Sequence, residues 1–396
     1  MKLDPAAWLD RPGIPLLLDT LAAADGGCRF VGGAVRDLAL GTEISDLDLS
    51  TRFVPGEVID RLARAGIKSV PTGLAHGTIT AISSGTVVEV TTLRCDLTSD
   101  GRRATVAFTD DWAADAARRD FTINALYADP LTGEISDPAG QGIADLDARR
   151  VRFIGEPLER IAEDHLRILR FFRFHARFAR GVPDPAALAA CTQRANDLMA
   201  LSRERIGYEL LNLVGLPDPV PTLSIMIEHG IFRPILPEID DATALAALIL
   251  AERAAGIPGD PLRRLAALLP RDAPAAEKVA ARLKLSLKAR KRLAQAADQT
   301  NFGSPQAYAY RLGNMSAADR LLLDGRPADA AAIADWASPR LPLSGGPLIA
   351  RGVPQGPLVA RTLKAIEQAW LDADFPDGAL FDAIVAEAIA RVLRSA

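Results

Sequence analysis

Hydrophobic and polar positions follow two different patterns along the chain. Over about the first 145 residues, short β-rich runs alternate with helical ones. The runs Thr78–Ser83 and Thr86–Leu93 have strand character and flank Ser84-Gly85, which predicts a strand pair joined by a turn. A strand that ends at Val31 and a helix at Gly56–Ala65 precede them, and the later segment RRDFTINALYAD is predicted to be helical. This part of the sequence predicts a small α/β domain.

From Asp147 to the end, the pattern is almost wholly helical and is interrupted by proline-rich breaks. The fold class is therefore α+β. We expect a first domain at 1–146, followed by helical domains at 147–215, 216–310 and 311–396. Residues 94–111 form a predicted loop that contains glycine and many charges, and the sequence does not decide between a mobile loop and a surface hairpin.

The segment Phe30–Thr51, FVGGAVRDLALGTEISDLDLST, contains the strongest chemical signal. It predicts a strand, a Gly32-Gly33 turn, a short helix with Arg36, and a second strand that bears Asp46 and Asp48. Side chains two apart on a strand share a face, with Cα atoms about 6–7 Å apart. Two carboxylates held this close repel each other unless a cation lies between them. A glycine turn can offer backbone N–H groups to a phosphate, so the segment favours metal-dependent phosphoryl or nucleotidyl transfer over two solvated acids.

Composition and charge set wider limits. The net charge of −4 is a weak argument against a nucleic-acid partner, because local patches matter more than the total. Arginine is concentrated between Arg149 and Arg205, and Arg282–Arg292 holds six cations. The sequence contains no run of eighteen apolar residues, so it predicts no membrane span. The N-terminus lacks an apolar signal core, and Cys28, Cys95 and Cys191 have no paired spacing, so we expect reduced thiols in the cytoplasm.

Two further segments carry candidate functional side chains. Glu89 lies in the strand TVVEVTTL and points away from Val88 and Val90; it is either functional or part of an ion pair, for instance with Arg94. The segment Ile161–Ala179 is predicted to be one helix with opposite apolar and basic faces. Its apolar face holds Ile168, Leu169, Phe172, Ala176 and Ala179. Its basic face holds Arg167, Arg170, Arg173 and Arg177, with Asp164 beside Arg167.

Four ordered motifs resemble one enzyme family. They are GGAVRD followed by DLD, RRDFTINAL, DPAGQGIADL and EDHLRILRFFRF, and they cover about residues 28–210. Together they resemble the class II tRNA nucleotidyltransferases, or CCA-adding enzymes, and the related bacterial poly(A) polymerases. The resemblance implies a nucleotidyltransferase head with a small mixed β-sheet, followed by all-α neck, body and tail domains.

The resemblance also implies roles for individual residues. Asp46 and Asp48 would hold two Mg²⁺ ions, and Glu89 would be a third catalytic acid. Arg119 would reach the triphosphate and Asp120 the ribose, while Asp164 and Arg167 would hydrogen-bond the base edge of CTP or ATP. The full nucleotide-binding set is Gly32, Gly33, Arg36, Arg119, Asp120, Asn124, Asp164, Arg167, Arg170 and Arg173.

The predicted function is template-independent addition of C, C and A to the 3′ end of tRNA from CTP and ATP. Two alternatives share the fold: a poly(A) polymerase, and an enzyme restricted to CC or A addition. A third belongs to another class, a catalytically inactive RNA-binding module. The expected partners are the tRNA 3′ end and the two nucleotides, with no membrane and no obligate protein partner.

Overall fold

A seven-stranded mixed sheet lies at the centre of the first part of the computed structural model, which describes residues 1–42, 44, 46–99 and 104–395. The strand order is β3-β4-β5-β2-β1-β8-β9; β2 and β5 are parallel and the other neighbours antiparallel. A separate antiparallel pair is formed by β6 and β7. The strands are β1 Cys28–Val31, β2 Leu47–Thr51, β3 Lys68–Gly73, β4 Thr78–Ser83, β5 Thr86–Thr92, β6 Arg94–Ser99, β7 Ala104–Phe108, β8 Tyr127–Ala128 and β9 Ile135–Ser136.

Helices account for most of the other regular structure in the described chain. Those within the first 235 residues are α1 Ala6–Leu9, α2 Ile14–Thr20, α3 Gly33–Ala39, α4 Pro55–Arg64, α5 Trp112–Ala117, α6 Gly142–Asp147, α7 Pro157–Glu163, α8 Arg167–Phe178, α9 Pro185–Gln193, α10 Arg203–Val214 and α11 Val220–Glu228. The later ones are α12 Thr243–Ala255, α13 Pro261–Ala267, α14 Ala273–Arg282, α15 Leu287–Ala297, α16 Pro305–Leu312, α17 Asn314–Leu323, α18 Pro327–Ala332, α19 Gly345–Ala350, α20 Pro357–Asp372 and α21 Gly378–Ser395. The predicted class, a mixed sheet followed by helices, is confirmed.

The chain divides into two compact units. The first comprises Met1–Leu213 and Pro221–Ile235, and the second comprises Val214–Val220 and the residues from Leu236 onward. The finer division into domains at 1–146, 147–215, 216–310 and 311–396 stays a prediction. In the described part of the chain, no helix is both long enough and apolar enough to cross a membrane.

Alternating side chains explain how the sheet presents its polar face. Leu47, Leu49, Val88 and Val90 are buried in the core, so the intervening Asp48 and Glu89 point to the opposite face. The predicted strands at Thr78–Ser83 and Thr86–Leu93 agree with β4 and β5 to within one residue. This face of β2 and β5 carries the candidate carboxylates.

Residues 94–111, for which the sequence leaves both a mobile loop and a surface hairpin open, contain the antiparallel β6–β7 pair, and residues 100–103 lie outside the described residues. Three predictions of local structure are wrong. The expected helix at RRDFTINALYAD is a 3-10 turn at Thr122–Asn124 followed by β8, because Tyr127 and Ala128 pair with β1. The helix preceding this motif, α5, was not predicted. The other two errors, at Asp46 and Asp164, concern the site and are described below.

The second unit contains a buried ion-pair network beside an apolar core. Arg263 and Arg264 both pair with Glu252, and Asp319 accepts hydrogen bonds from Arg263 and Arg292. All but Arg292 are buried. The six cations at Arg282–Arg292 are thus partly structural, since Arg282 pairs with Glu238, Arg290 with Glu277 and Arg292 with Asp319. Each buried charge in this network has a partner of opposite sign, which offsets the cost of removing the charge from water.

Candidate active site

The Gly32-Gly33 turn joins β1 to α3 beside the polar face of the sheet. Gly32 has φ 66° and ψ −119°, a conformation that residues with a Cβ atom rarely adopt. Its N–H donates to the carbonyl of Leu126 at 3.1 Å. A Cβ atom on Gly32 would lie 3.6 Å from a guanidinium nitrogen of Arg119, so the turn passes close to that side chain. The glycine is required here by backbone geometry.

Three carboxylates face the same space. Asp48 lies within β2, and Glu89 is its register partner on the parallel strand β5. Asp46 directly precedes β2, whose ladder with β5 begins at the pair Leu47–Val88. The prediction that both aspartates lie within the strand is therefore wrong for Asp46. The structure nevertheless brings all three acids to one cavity.

The electrostatics of this group fit a bound cation. Burial, followed by the charges of Glu89 and Asp46, raises the pKa of Asp48 to about 6, while the charge of Arg119 opposes the shift. A divalent ion would favour the ionised carboxylates. Within the described residues, no group of three or more His, Cys, Asp or Glu side chains could hold a metal by itself. Mg²⁺ needs no such group, because it binds one or two carboxylates together with water and substrate phosphates.

Asp115 is a buried carboxylate at the site that sequence reasoning missed. It accepts hydrogen bonds from Arg119 Nη2 at 2.8 Å, the Tyr127 hydroxyl at 2.7 Å and Arg118 Nε at 3.3 Å. Burial opposes its ionisation, but the charge of Arg119 and the hydrogen bonds keep the pKa of Asp115 below its ordinary value. Arg119 also donates to the Ser50 hydroxyl at 3.2 Å, on β2. Asp115 precedes Arg119 by four residues, a helical spacing that would have predicted the contact.

A chain of hydrogen bonds links the head motifs to α8. The Arg36 guanidinium is buried, donates to Asn124 at 2.5 Å and lies over the Phe178 ring. Asn124 in turn donates to Asp120 at 2.9 Å, and Arg170 donates to the other Asp120 oxygen. Although Asp120 is buried, Arg170 and Asn124 lower its pKa. Four of the predicted nucleotide-binding residues thus form one preorganised network.

Glu209 on α10 extends this network and was also missed. It is 3% exposed, accepts a hydrogen bond from Arg173 Nε at 2.6 Å, and lies 3.7 Å from Arg170 Nη1. At the other end of α8, Arg177 pairs with Asp37 at 3.2 Å. The predicted basic face of α8 is correct in orientation. Its arginines are held by acids from other segments rather than exposed to solvent alone.

Asp164 does not lie on the same helix as Arg167. The predicted helix Ile161–Ala179 is interrupted: α7 ends at Glu163, Asp164 is extended with φ −152° and ψ 105°, and α8 begins at Arg167. The Asp164 carboxylate accepts the Leu166 N–H and a 2.7 Å hydrogen bond from Arg205 of α10. Arg167 instead pairs with Glu163 at 2.5 Å. The break frees Asp164 from the helical face, and its carboxylate is positioned by Arg205.

A cavity of about 760 Å³ lies within the first unit, and Asp115, Glu209 and Arg205 contact residues of its lining. The cavity brings together all thirteen predicted site residues: Gly32, Gly33, Arg36, Asp46, Asp48, Glu89, Arg119, Asp120, Asn124, Asp164, Arg167, Arg170 and Arg173. Arg94, Arg118 and Phe174 also line it. We call it the catalytic cavity. Carboxylates form its wall on the sheet side and arginines its wall on the α8 side, an arrangement suited to a polyanion that is positioned against metal ions.

Two parts of the chain match known protein families. Residues 28–152 match the family described as the poly A polymerase head domain, and residues 183–243 match one described as a probable RNA and SrmB-binding site of polymerase A. The mitochondrial CCA tRNA nucleotidyltransferase 1 of Danio rerio is 34% identical over 369 residues, which cover 86% of this chain and 83% of that protein.

Other relatives match over shorter regions or by structure. The human CCA tRNA nucleotidyltransferase 1 is 41% identical over 205 residues, 51% of this chain and 47% of that protein. The Bacillus stearothermophilus CCA-adding enzyme in complex with CTP superposes with a TM-score of 0.76 at 25% identity, covering 97% and 100% of the two chains. The Thermotoga maritima CCA-adding enzyme complexed with tRNA has the same fold, with a TM-score of 0.66 at 18% identity and coverage of 96% and 98%.

Proposed function

Because the chain belongs to the family of the CCA tRNA nucleotidyltransferases, we propose that it adds C, C and A to the 3′ end of tRNA, using CTP and ATP. The observation that carries this function is the single cavity that joins three carboxylates on the sheet to Asp164 and the arginines of α8. The carboxylates supply the transfer chemistry, and the α8 side supplies nucleotide recognition. The match of residues 183–243 to a probable RNA-binding segment supports tRNA as the acceptor.

Enzymes of this family use divalent metal ions. We propose two Mg²⁺ ions held by Asp46 and Asp48. When bound, such ions activate the attacking 3′-hydroxyl and neutralise charge at the transferred phosphate and the leaving pyrophosphate. The chain itself contributes the ionised aspartates, and Glu89 reinforces the negative charge beside Asp48.

The remaining residues position the nucleotide. Arg119, fixed by Asp115 and Tyr127, offers its guanidinium to the triphosphate. Asp120 is held by Asn124 and Arg170, and directs its carboxylate to the ribose. Most of the rate enhancement in such a site comes from orientation and fixed charges, which require rigid side chains.

Base selection is assigned to Asp164 and Arg167. A carboxylate accepts from the exocyclic amine that C and A share, and a guanidinium donates to a ring nitrogen or carbonyl, so the pair favours these bases over U and G. Arg205 and Glu163 hold the two side chains and are positioning residues. The protein thereby replaces a nucleic-acid template.

Incorporation of labelled nucleotides tests the function directly. The protein is incubated with Mg²⁺, labelled CTP and ATP, and tRNA that lacks its 3′-terminal CCA. Addition of three nucleotides in the order C, C, A supports the proposal. A long A tail would indicate a poly(A) polymerase, one or two nucleotides a partial activity, and no incorporation an inactive RNA-binding module.

For the compartment we propose the cytoplasm, supported by three unpaired cysteines.

A further inference from the structure

A second cavity of about 450 Å³ lies at the C-terminal end of α8 in the first unit. His175 of α8 lines it, whereas the preceding residue, Phe174, lines the catalytic cavity. The two cavities therefore lie against different faces of one helix. The charged residues that line the second cavity are Arg149, Arg150, Arg180 and Asp184. Burial lowers the pKa of His175, so it adds no positive charge at neutral pH.

The three arginines of this cavity differ from those of the catalytic cavity. Arg167, Arg170 and Arg173 each pair with an acid. By contrast, no residue in the described part of the chain accepts a hydrogen bond from the guanidinium of Arg149, Arg150 or Arg180. The one acid in the lining, Asp184, accepts the N–H of Ala187 as the N-cap of α9. The cavity thus has a net positive charge.

Backbone contacts hold two of these cations together. The Arg180 N–H donates to the Arg149 carbonyl at 3.0 Å. Arg150 is the neighbour of Arg149 in sequence. Because these three backbones are adjacent and all three residues line the same cavity, one anion bound there can accept hydrogen bonds from more than one guanidinium group.

Arg149 also occupies a backbone position that favours glycine. It follows the C-cap of α6, has φ 52°, and the Arg150 N–H donates to the Asp145 carbonyl at 2.8 Å. This is the left-handed position of a Schellman-type helix end, where glycine avoids the cost imposed by a Cβ atom. An arginine here costs conformational energy, and its guanidinium makes no hydrogen bond or ion pair within the described residues. Strain of this kind points to a function of the side chain.

We propose that the cavity lined by Arg149, Arg150 and Arg180 binds a backbone phosphate of the RNA substrate. The inference rests on the proposed function. Guanidinium groups bind phosphate oxygens through paired hydrogen bonds, and three of them line this cavity with no hydrogen-bond acceptor among the described residues. Residues 183–185 line the cavity and are also the first residues of the segment 183–243, which we propose binds RNA. The α8 helix spans about 18 Å, a distance that a few nucleotides of RNA can bridge.

The test uses the full chain with Arg149→Gly and Arg180→Gln combined. Removing both charges should raise the Kd for tRNA lacking its CCA end about tenfold at 0.15 M salt, and should reduce the slope of log K against log salt by about two. The melting temperature should stay equal or rise, because glycine suits the backbone at 149. A purely structural role for these arginines predicts the opposite, a lower melting temperature with unchanged Kd and salt slope.

A control and a second probe separate the possible outcomes. Arg64→Gln removes an exposed charge from the same unit and should leave Kd and salt slope unchanged; an equal effect there would overturn the site. Tripolyphosphate is the second probe, measured by thermal shift. A shift reduced in the double variant together with unchanged tRNA affinity would show that the cavity takes free polyphosphate and would overturn the assignment to RNA. If the unaltered protein neither binds nor extends tRNA, the proposed function fails, whatever the double variant does.

Discussion

Replacing Asp48 by asparagine should stabilise the metal-free protein while it destroys transfer. The pKa of Asp48 is raised from its ordinary 3.8 to about 6, chiefly by burial and then by Glu89 and Asp46. At about 1.4 kcal/mol per pKa unit, this displacement corresponds to about 3 kcal/mol of unfavourable charge. The side chain remains partly accessible to water, so we expect a gain of about 1–2 kcal/mol in the free energy of unfolding. For a unit of this size the melting temperature should rise by about 3–6 °C at pH 7.5.

The sign of the pH dependence follows from proton linkage. The folded state binds the Asp48 proton more tightly than the unfolded state, so ionisation of Asp48 destabilises the protein as pH rises from about 4 to 6. Above that range the destabilisation is complete. The gain in the free energy of unfolding from Asp48→Asn should therefore be largest above pH 7, shrink as pH falls through 6, and vanish below about pH 4.

Thermal denaturation in EDTA at several pH values measures this effect, and Mg²⁺ provides an independent reading. Mg²⁺ should raise the melting temperature of the unaltered protein more than that of Asp48→Asn, because binding to the folded state stabilises it. Asp60→Asn, on the exposed face of α4, should change stability by less than about 0.5 kcal/mol. A lower melting temperature for Asp48→Asn at pH 7.5, or a gain independent of pH, would refute the electrostatic reasoning.

Three more substitutions test the other parts of the cavity. Asp46→Ala should abolish nucleotide incorporation and leave tRNA affinity near normal in a filter-binding assay; retained turnover contradicts the metal assignment. Asp164→Ala should alter the ratio of kcat/KM for CTP or ATP over UTP or GTP more than it weakens triphosphate binding, and an unchanged ratio contradicts the role in base selection. Glu209→Gln should lower the free energy of unfolding in urea by about 2–4 kcal/mol, since it leaves Arg173 without its buried anion. The Glu209→Gln substitution should also raise KM for both nucleotides alike. A changed base preference with unchanged KM would contradict the role of Glu209 in holding Arg173.

The sequence determined the elements and the chemistry that depend on local spacing. Two-residue alternation was enough to locate β4 and β5, and it put Glu89 on the face opposite Val88 and Val90. The glycine turn and the arginine face of α8 also follow from spacing alone. Each depends on the fixed geometry of a strand, a turn or a helix, so neighbouring residues contain all the information needed.

Tertiary structure decided which charges meet. Pairing with β1 turned the end of the RRDFTINAL motif into a strand. The break at Asp164 is accompanied by a hydrogen bond from Arg205, 41 residues away. The sequence did not predict the role of Glu209 or the second cavity. Both depend on residues from distant segments, which a local pattern does not identify. The sequence therefore named the reactive groups, whereas burial and long-range ion pairs determined which side chains hold each of them in place.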